Sequence, residues 1–170
     1  PILISRTKDT GILSREDAIK LGTTGSVLRA SGVDFDIRKK EPYDVYEELD
    51  FQTHVLKEGD SYARSKIPWL DMLESCRIIR DALQKMPKSG SVRIKLKPNP
   101  KGGDTEVYRR VESGRGSLGM HIVSQNKPQP YRLKISVGSF RNLIAMPHLL
   151  LSLIHISEPT RPRLISYAVF

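Results

Sequence analysis

The chain has 170 residues with 28 Lys+Arg against 19 Asp+Glu, a formal charge of +9, and 38% hydrophobic residues. That is one domain's worth of polypeptide, low in apolar content but too apolar for a disordered chain. Its one cysteine, Cys76, excludes a disulfide scaffold and any thiolate-rich metal cluster held by this chain alone, and its longest apolar stretch, residues 149–156, is shorter than the roughly 20 residues a membrane span needs.

The opening Pro1-Ile2-Leu3-Ile4 lacks a charged leader and cleavage site, and the chain closes on Ala168-Val169-Phe170. Both ends therefore read as cuts in a longer polypeptide rather than a signal peptide. Ser14 is placed to cap a short helix, with Asp17 at its third position, Ala18, Ile19 and Leu21 as its apolar side, and Gly22 as its stop. Gly22, Gly25 and Gly32 surround Leu28-Arg29-Ala30-Ser31. Their spacing fits neither phosphate-binding glycine pattern, so nucleotide binding is not expected there. Residues 33–58 read as irregular.

From Asp60 to Met86 the spacing predicts the longest helix. Ile67, Leu70, Leu73, Cys76, Ile79, Leu83 and Met86 recur at three- and four-residue steps, which implies one buried face and a buried, inert thiol. Pro68 is expected to kink or restart this helix, and Pro87 with Gly90 to end it. The period then becomes two. Val92, Ile94 and Leu96 alternate with Arg93, Lys95 and Lys97, and Tyr131, Leu133, Ile135 and Val137 with Arg132, Lys134 and Ser136. Each set reads as a strand with one buried face, and residues 106–112 and 117–124 as two more strands. Phe140, Leu143 and Ile144 begin a last helix that Pro147 is expected to cut short. The architecture is α+β: a long helix followed by an antiparallel β-meander.

His54, His121 and His148 lack metal-ligand spacing and read as structural or solvated. The basic strand faces suit phosphates or acidic partner surfaces, but no stacking aromatics interleave with them, so nucleic acid is not an expected partner. In Glu112-Ser113-Gly114-Arg115-Gly116, the flanking glycines permit a close approach to another surface, and Glu112 lies near enough to orient the Arg115 guanidinium. A local salt bridge in a hairpin turn accounts for the same spacing.

Residues 151–170 resemble the in-frame translation of a sequencing adapter: Leu151 to Arg161 match one constant block, and Ile165 to Phe170 a second. They are set apart from residues 1–150, which are expected to form the biological unit.

Several separated motifs resemble one family. They are Arg29-Ala30-Ser31-Gly32, Asp36-Ile37-Arg38-Lys39, Pro42-Tyr43-Asp44-Val45-Tyr46, Gly59-Asp60-Ser61-Tyr62-Ala63-Arg64, Glu112-Ser113-Gly114-Arg115-Gly116 and Pro130-Tyr131-Arg132-Leu133. In this order they resemble the 49-kDa-type subunit of respiratory complex I, the NADH-quinone oxidoreductase, which is related to the large subunit of nickel–iron hydrogenases. The resemblance implies a fragment with the hydrogenase large-subunit-like fold, peripheral to the cytoplasmic face of the cell membrane, in a proton-translocating NADH:quinone oxidoreductase. It implies part of a quinone cavity wall, shared with the iron–sulfur small subunit and other complex I subunits. NADH, FMN and the iron–sulfur clusters belong to the complex; no cofactor is expected on this fragment, and the fragment alone is expected to be inactive. The family's quinone-head ligands lie upstream of this chain, so no catalytic residue is carried over. Glu112, Arg115, Gly116 and Arg29 are the quinone-side or interface candidates, with Arg115 foremost. Departures from the family pattern are Lys66-Ile67-Pro68-Trp69 within the helix, and Gly114 and Gly138 where proline is common. A membrane-bound hydrogenase large subunit, an archaeal deazaflavin-dependent dehydrogenase subunit and a basic RNA-binding module stay open as alternatives.

Overall fold

The computed structural model describes residues 2–91, 93, 95 and 101–157. The expected strand over Val92, Ile94 and Leu96 lies outside the described residues. Short helices come first: α1 (Ile2–Thr7), α2 (Arg15–Lys20), α3 (Ser26–Ala30) and α4 (Ile37–Lys40), then a 3-10 turn at Tyr46–Glu48 and the long α5 (Ser61–Lys85). Strands β1 (Asp104–Ser113), β2 (Gly116–Gln125) and β3 (Arg132–Ser136) form an antiparallel meander in the order β1-β2-β3. α6 (Gly138–Asn142), a 3-10 turn (Leu143–Ala145) and α7 (Met146–Ser157) follow. This is the expected α+β arrangement.

Side-chain caps set the starts of three helices. Ser14 Oγ accepts from the Asp17 amide at 3.0 Å and donates to its carboxylate at 2.6 Å. Asp36 accepts from the Arg38 amide, and Asp60 from the Ala63 amide at 2.7 Å. Each cap satisfies a helix-end donor that would otherwise lack a partner, a contribution of about 1 kcal/mol. Asp60 also takes the Asp9 amide at 2.9 Å, which ties the chain's beginning to the base of α5.

The core is small and lies between the short helices and the first half of α5. Leu13, Ala18, Leu28 and Ala145 form one buried cluster, and Ala30, Ala63 and Ile67 a second. Backbone bonds knit the segments: Leu13 donates to Gly59, Gly59 to Ala30, and Leu56 to Arg29. At Gly59, φ is +65° and a Cβ would stand 2.3 Å from the Leu13 carbonyl oxygen, so only glycine allows this crossing.

Several expectations change here. α5 continues through Pro68 without a restart. The proline removes one backbone donor, while Ala63 and Ile67 below it and ion-paired Asp71 and Glu74 above it hold the helix to the body. The buried face of α5 also differs from the apolar stripe. Ala63, Ile67 and Glu74 are buried, with Asp71 beside them on the same side, whereas Leu73, Ile79, Leu83 and Met86 are each more than half exposed. Cys76 is exposed, not buried. Periodicity marks a face suited to burial, and in this chain nothing covers that face among the described residues.

The sheet behaves likewise. Register places Val107 beside Ile122 and Ile122 beside Leu133, with Met120 beside Ile135, on one apolar face. Leu133 and Ile135 are each 51% exposed, so the expected burial of this face is not reached within the chain. Pro147 opens α7 rather than ending a helix. In a first turn its missing N–H costs nothing, and its fixed φ suits the helix.

Candidate functional site

The four candidates lie on α3 and on the hairpin joining β1 to β2, and the structure gives them different roles. Arg29 is buried, with only 3% of its side chain exposed. Its two terminal nitrogens donate to the two carboxylate oxygens of Asp71 on α5, both at 2.7 Å, and Nη1 also reaches the His54 carbonyl at 3.3 Å. Burial opposes its charge, but the Asp71 bonds outweigh that, and the guanidinium is held protonated above its ordinary value. Arg29 is thus a brace between α3 and α5.

A second pair sits next to it. Arg38 donates through Nε and Nη2 to both oxygens of Asp36, at 3.0 and 2.7 Å. Asp36 is desolvated, yet the Arg38 bonds and charge prevail and hold its carboxyl below the usual range. Glu112, near the end of β1, faces the same group of charges. Burial pushes its carboxyl up, Asp36 adds to that, and Arg38 and Arg29 partly counter it. Its amide donates to the Tyr43 hydroxyl at 3.1 Å, and Arg110 pairs with Glu41, so two contacts fasten β1 to the loop after α4.

Between α5, the 3-10 turn and the hairpin lies an open cavity of about 380 Å³, lined by Arg38, Tyr46, Met72, Asp71 and Glu112 among others.

Arg115 stands exposed at the hairpin tip, where Ser113 pairs with Gly116 across a two-residue turn. No ion pair joins it to Glu112 among the described residues, so the expected orientation of its guanidinium by Glu112 is corrected. The reason is the pleat. Glu112 sits opposite Ser117 in the ladder, while Arg115 belongs to the turn itself.

Gly116 is buried, and the surface it approaches belongs to its own chain. Its φ is +121°, and a Cβ there would lie 2.6 Å from Thr24 Cγ2. Gly25 and Gly138 close on the same point from α3 and α6. Ser117 donates its amide to Thr24 Oγ1 at 3.1 Å. Asn142 accepts the Thr24 amide at 2.9 Å and donates to the carbonyls of Thr24 and Arg115. Two segments far from it in sequence, 24–25 and 138–142, thereby fix the tip that carries Arg115.

The pattern of the family described as "Respiratory-chain NADH dehydrogenase, 49 Kd subunit" matches residues 1–102 and 95–154. The chain belongs to this family. A NADH-quinone oxidoreductase subunit from Desulfitobacterium hafniense is 46% identical over 139 residues, which is 82% of this chain and 37% of that protein. The proteins of the same name from Bacillus cereus and Bacillus cytotoxicus are 41% and 42% identical over 149 residues, covering 88% of this chain and 41% of each relative. The chain therefore spans about two fifths of the length of the curated relatives it matches.

The chain has one cysteine, and no group of three or more His, Cys, Asp or Glu among the described residues could hold a metal ion. Three of the four histidines each face a carboxylate: His54 lies 3.6 Å from Glu74, His121 2.6 Å from Glu106 and His148 3.8 Å from Asp17. No helix among the described residues is long and apolar enough to cross a membrane.

Sequence reasoning missed Asp71, Asp36, Arg38 and Asn142. Asp36 and Arg38 carried a signal, since an acid two residues before a basic residue at a helix start permits both a cap and an ion pair. Asp71 follows the buried Ile67 by one helical turn, which places it on the body side. Asn142 carried no such signal, because its partners lie 118 and 27 residues away.

Proposed function

We propose that residues 1–150 are part of the quinone-site subunit of a proton-translocating NADH:quinone oxidoreductase. They take the hydrogenase large-subunit-like fold of that subunit and form one wall of the quinone cavity, against the iron–sulfur small subunit. The complex sits at the cytoplasmic face of the cell membrane, with this subunit peripheral to it. NADH, FMN and the iron–sulfur clusters are carried by other subunits, and this chain's residues shape and exclude rather than transfer electrons. Residues 151–170 lie outside that unit.

The observation that carries this reading is membership of the 49-kDa family together with identities of 41–46% to proteins named as NADH-quinone oxidoreductase subunits. The geometry supports a division of labour among the candidates. Arg29 braces the helices behind the wall, Gly116 permits the backbone junction, and Arg115 is presented outward on a tip that neighbouring segments hold still. An exposed guanidinium on a fixed turn suits a carboxylate or backbone carbonyls on a neighbouring subunit.

The test is Arg115→Ala in the complete subunit, assembled in its complex. The reading predicts a loss of quinone reductase activity or of assembly of about tenfold, as for an interfacial charge. Unchanged activity with unchanged assembly removes Arg115 from the site.

A further inference from the structure

The charges around the 380 Å³ cavity do not balance. Arg29 is taken by Asp71 and Arg38 by Asp36, each through two hydrogen bonds. Glu112 lines the same cavity, and among the described residues its carboxylate has neither an ion pair nor a side-chain hydrogen bond. Its other charged neighbours are on every element packed around it: Arg29 on α3, Asp36 and Arg38 at α4, and Asp71 on α5. The five groups sum to one net negative charge when all are ionised. With both guanidiniums already committed to Asp71 and Asp36, a further cation would stabilise the half-buried Glu112 carboxylate as an ion.

The cavity's shape specifies the cation. Pro68 and Met72 of α5 and the Tyr46 ring give it apolar walls leading to the carboxylate. A long aliphatic stem with a charged head fits that path, as lysine and arginine side chains do. Met72 is 52% exposed, and seven residues before Ile79 it lies on the same side of α5 as that member of the uncovered stripe. Whatever covers the stripe therefore passes the cavity mouth. The relatives are about two and a half times as long as the stretch matched here, so each complete subunit holds ample polypeptide to do so.

We propose that the cavity is a socket for one Lys or Arg side chain from the subunit's own polypeptide beyond this chain, which pairs with Glu112. This rests on the family membership and not on the quinone reading, so failure of the Arg115 test leaves it standing.

The experiment compares thermal melting of the complete subunit with its Glu112→Gln and Glu112→Asp variants, at pH 8 and at pH 3.5, in isolation and in the assembled complex. A carboxylate paired with a cation stabilises where it is ionised. The Gln variant should then melt at least about 2 °C below wild type at pH 8. The gap should narrow at pH 3.5, below the ordinary glutamate value, the Asp variant should keep most of the wild-type value, and all of this should hold in the isolated subunit. A Gln variant as stable as wild type or more so at pH 8 means that Glu112 has no cation, and the proposal fails. A loss in the Asp variant as large as or larger than that in the Gln variant, although Asp keeps the charge, also overturns it. A loss seen only in the assembled complex assigns the cation to another subunit and overturns the stated source.

Discussion

Two regions of this chain treat their side chains in opposite ways. In the first, from α2 through the first half of α5, buried polar groups are paired: Arg29 with Asp71, Asp36 with Arg38, and Glu74 with Arg77 and the Gln52 amide. In the second, the later half of α5 and the sheet, apolar side chains face outward: Leu73, Ile79 and Leu83 on the helix, and Met120, Leu133 and Ile135 on the strands. The first region pairs its buried charges, and Thr53 Oγ1 is its buried side-chain atom without a hydrogen-bond partner among the described residues. The second presents apolar faces that nothing covers among the described residues.

The most damaging way to break the contrast is to attack a pair in the first region. Arg29→Met leaves the Asp71 carboxylate partly buried without its partner. It should cost about 2–4 kcal/mol in urea unfolding of the complete subunit, the lower end reflecting Asp71's partial exposure. The double variant with Asp71→Leu should recover part of that loss. The backbone junction between the regions is nearly as sensitive. Gly116→Ala forces a side chain onto Thr24 at a positive φ and should cost about 1–3 kcal/mol by the same measurement. Gly114→Ala, two residues away, meets nothing within 4 Å and should change stability by no more than about 0.5 kcal/mol.

A third substitution sharpens the contrast. Ile79→Ser, on the outward stripe, should leave the stability of this chain within about 0.5 kcal/mol of wild type. In the complete subunit, where the stripe is covered, the same change should cost about 2 kcal/mol. Equal small effects in both would mean that the stripe stays exposed.

The smallest effect is on pH dependence, where two carboxyls pull in opposite directions. Asp36 is held below its ordinary value in the folded chain, so its contribution is complete above about pH 4 and is lost as pH falls through the folded value. Glu112, in this chain alone, is held above its ordinary value. Its contribution is complete below that ordinary value and lost as pH rises through the folded one. Asp36→Asn should flatten the acid limb of a stability–pH curve for this chain, and Glu112→Gln the limb above it, each by about 1 kcal/mol or less.

The contrast also explains what could be read in the sequence. Local signals were legible: the Ser14 cap, the length of α5, the hairpin around Gly114 and Arg115, and the strand positions depend on neighbours within a few residues. The apolar stripe of α5 was legible as a pattern but not as a burial state, because burial depends on what packs against Leu73 and Ile79, and periodicity does not carry that. Cys76 was misplaced for the same reason. Arg29 stood out through its motif, yet its role depends on Asp71, 42 residues away. Sequence proximity suggested Glu112 as the partner of Arg115, and strand pleating separated them.

Hydrogen exchange tests most directly whether the second region is an interface waiting for its cover. Residues 2–151 as an isolated chain are compared with the same residues in the assembled complex. Amides in α2, α3 and the first half of α5 should be protected alike in both states. Those of 73–86 and the three strands should gain protection of an order of magnitude or more only on assembly. Full protection of 73–86 and the sheet in the isolated chain would contradict this division of the molecule.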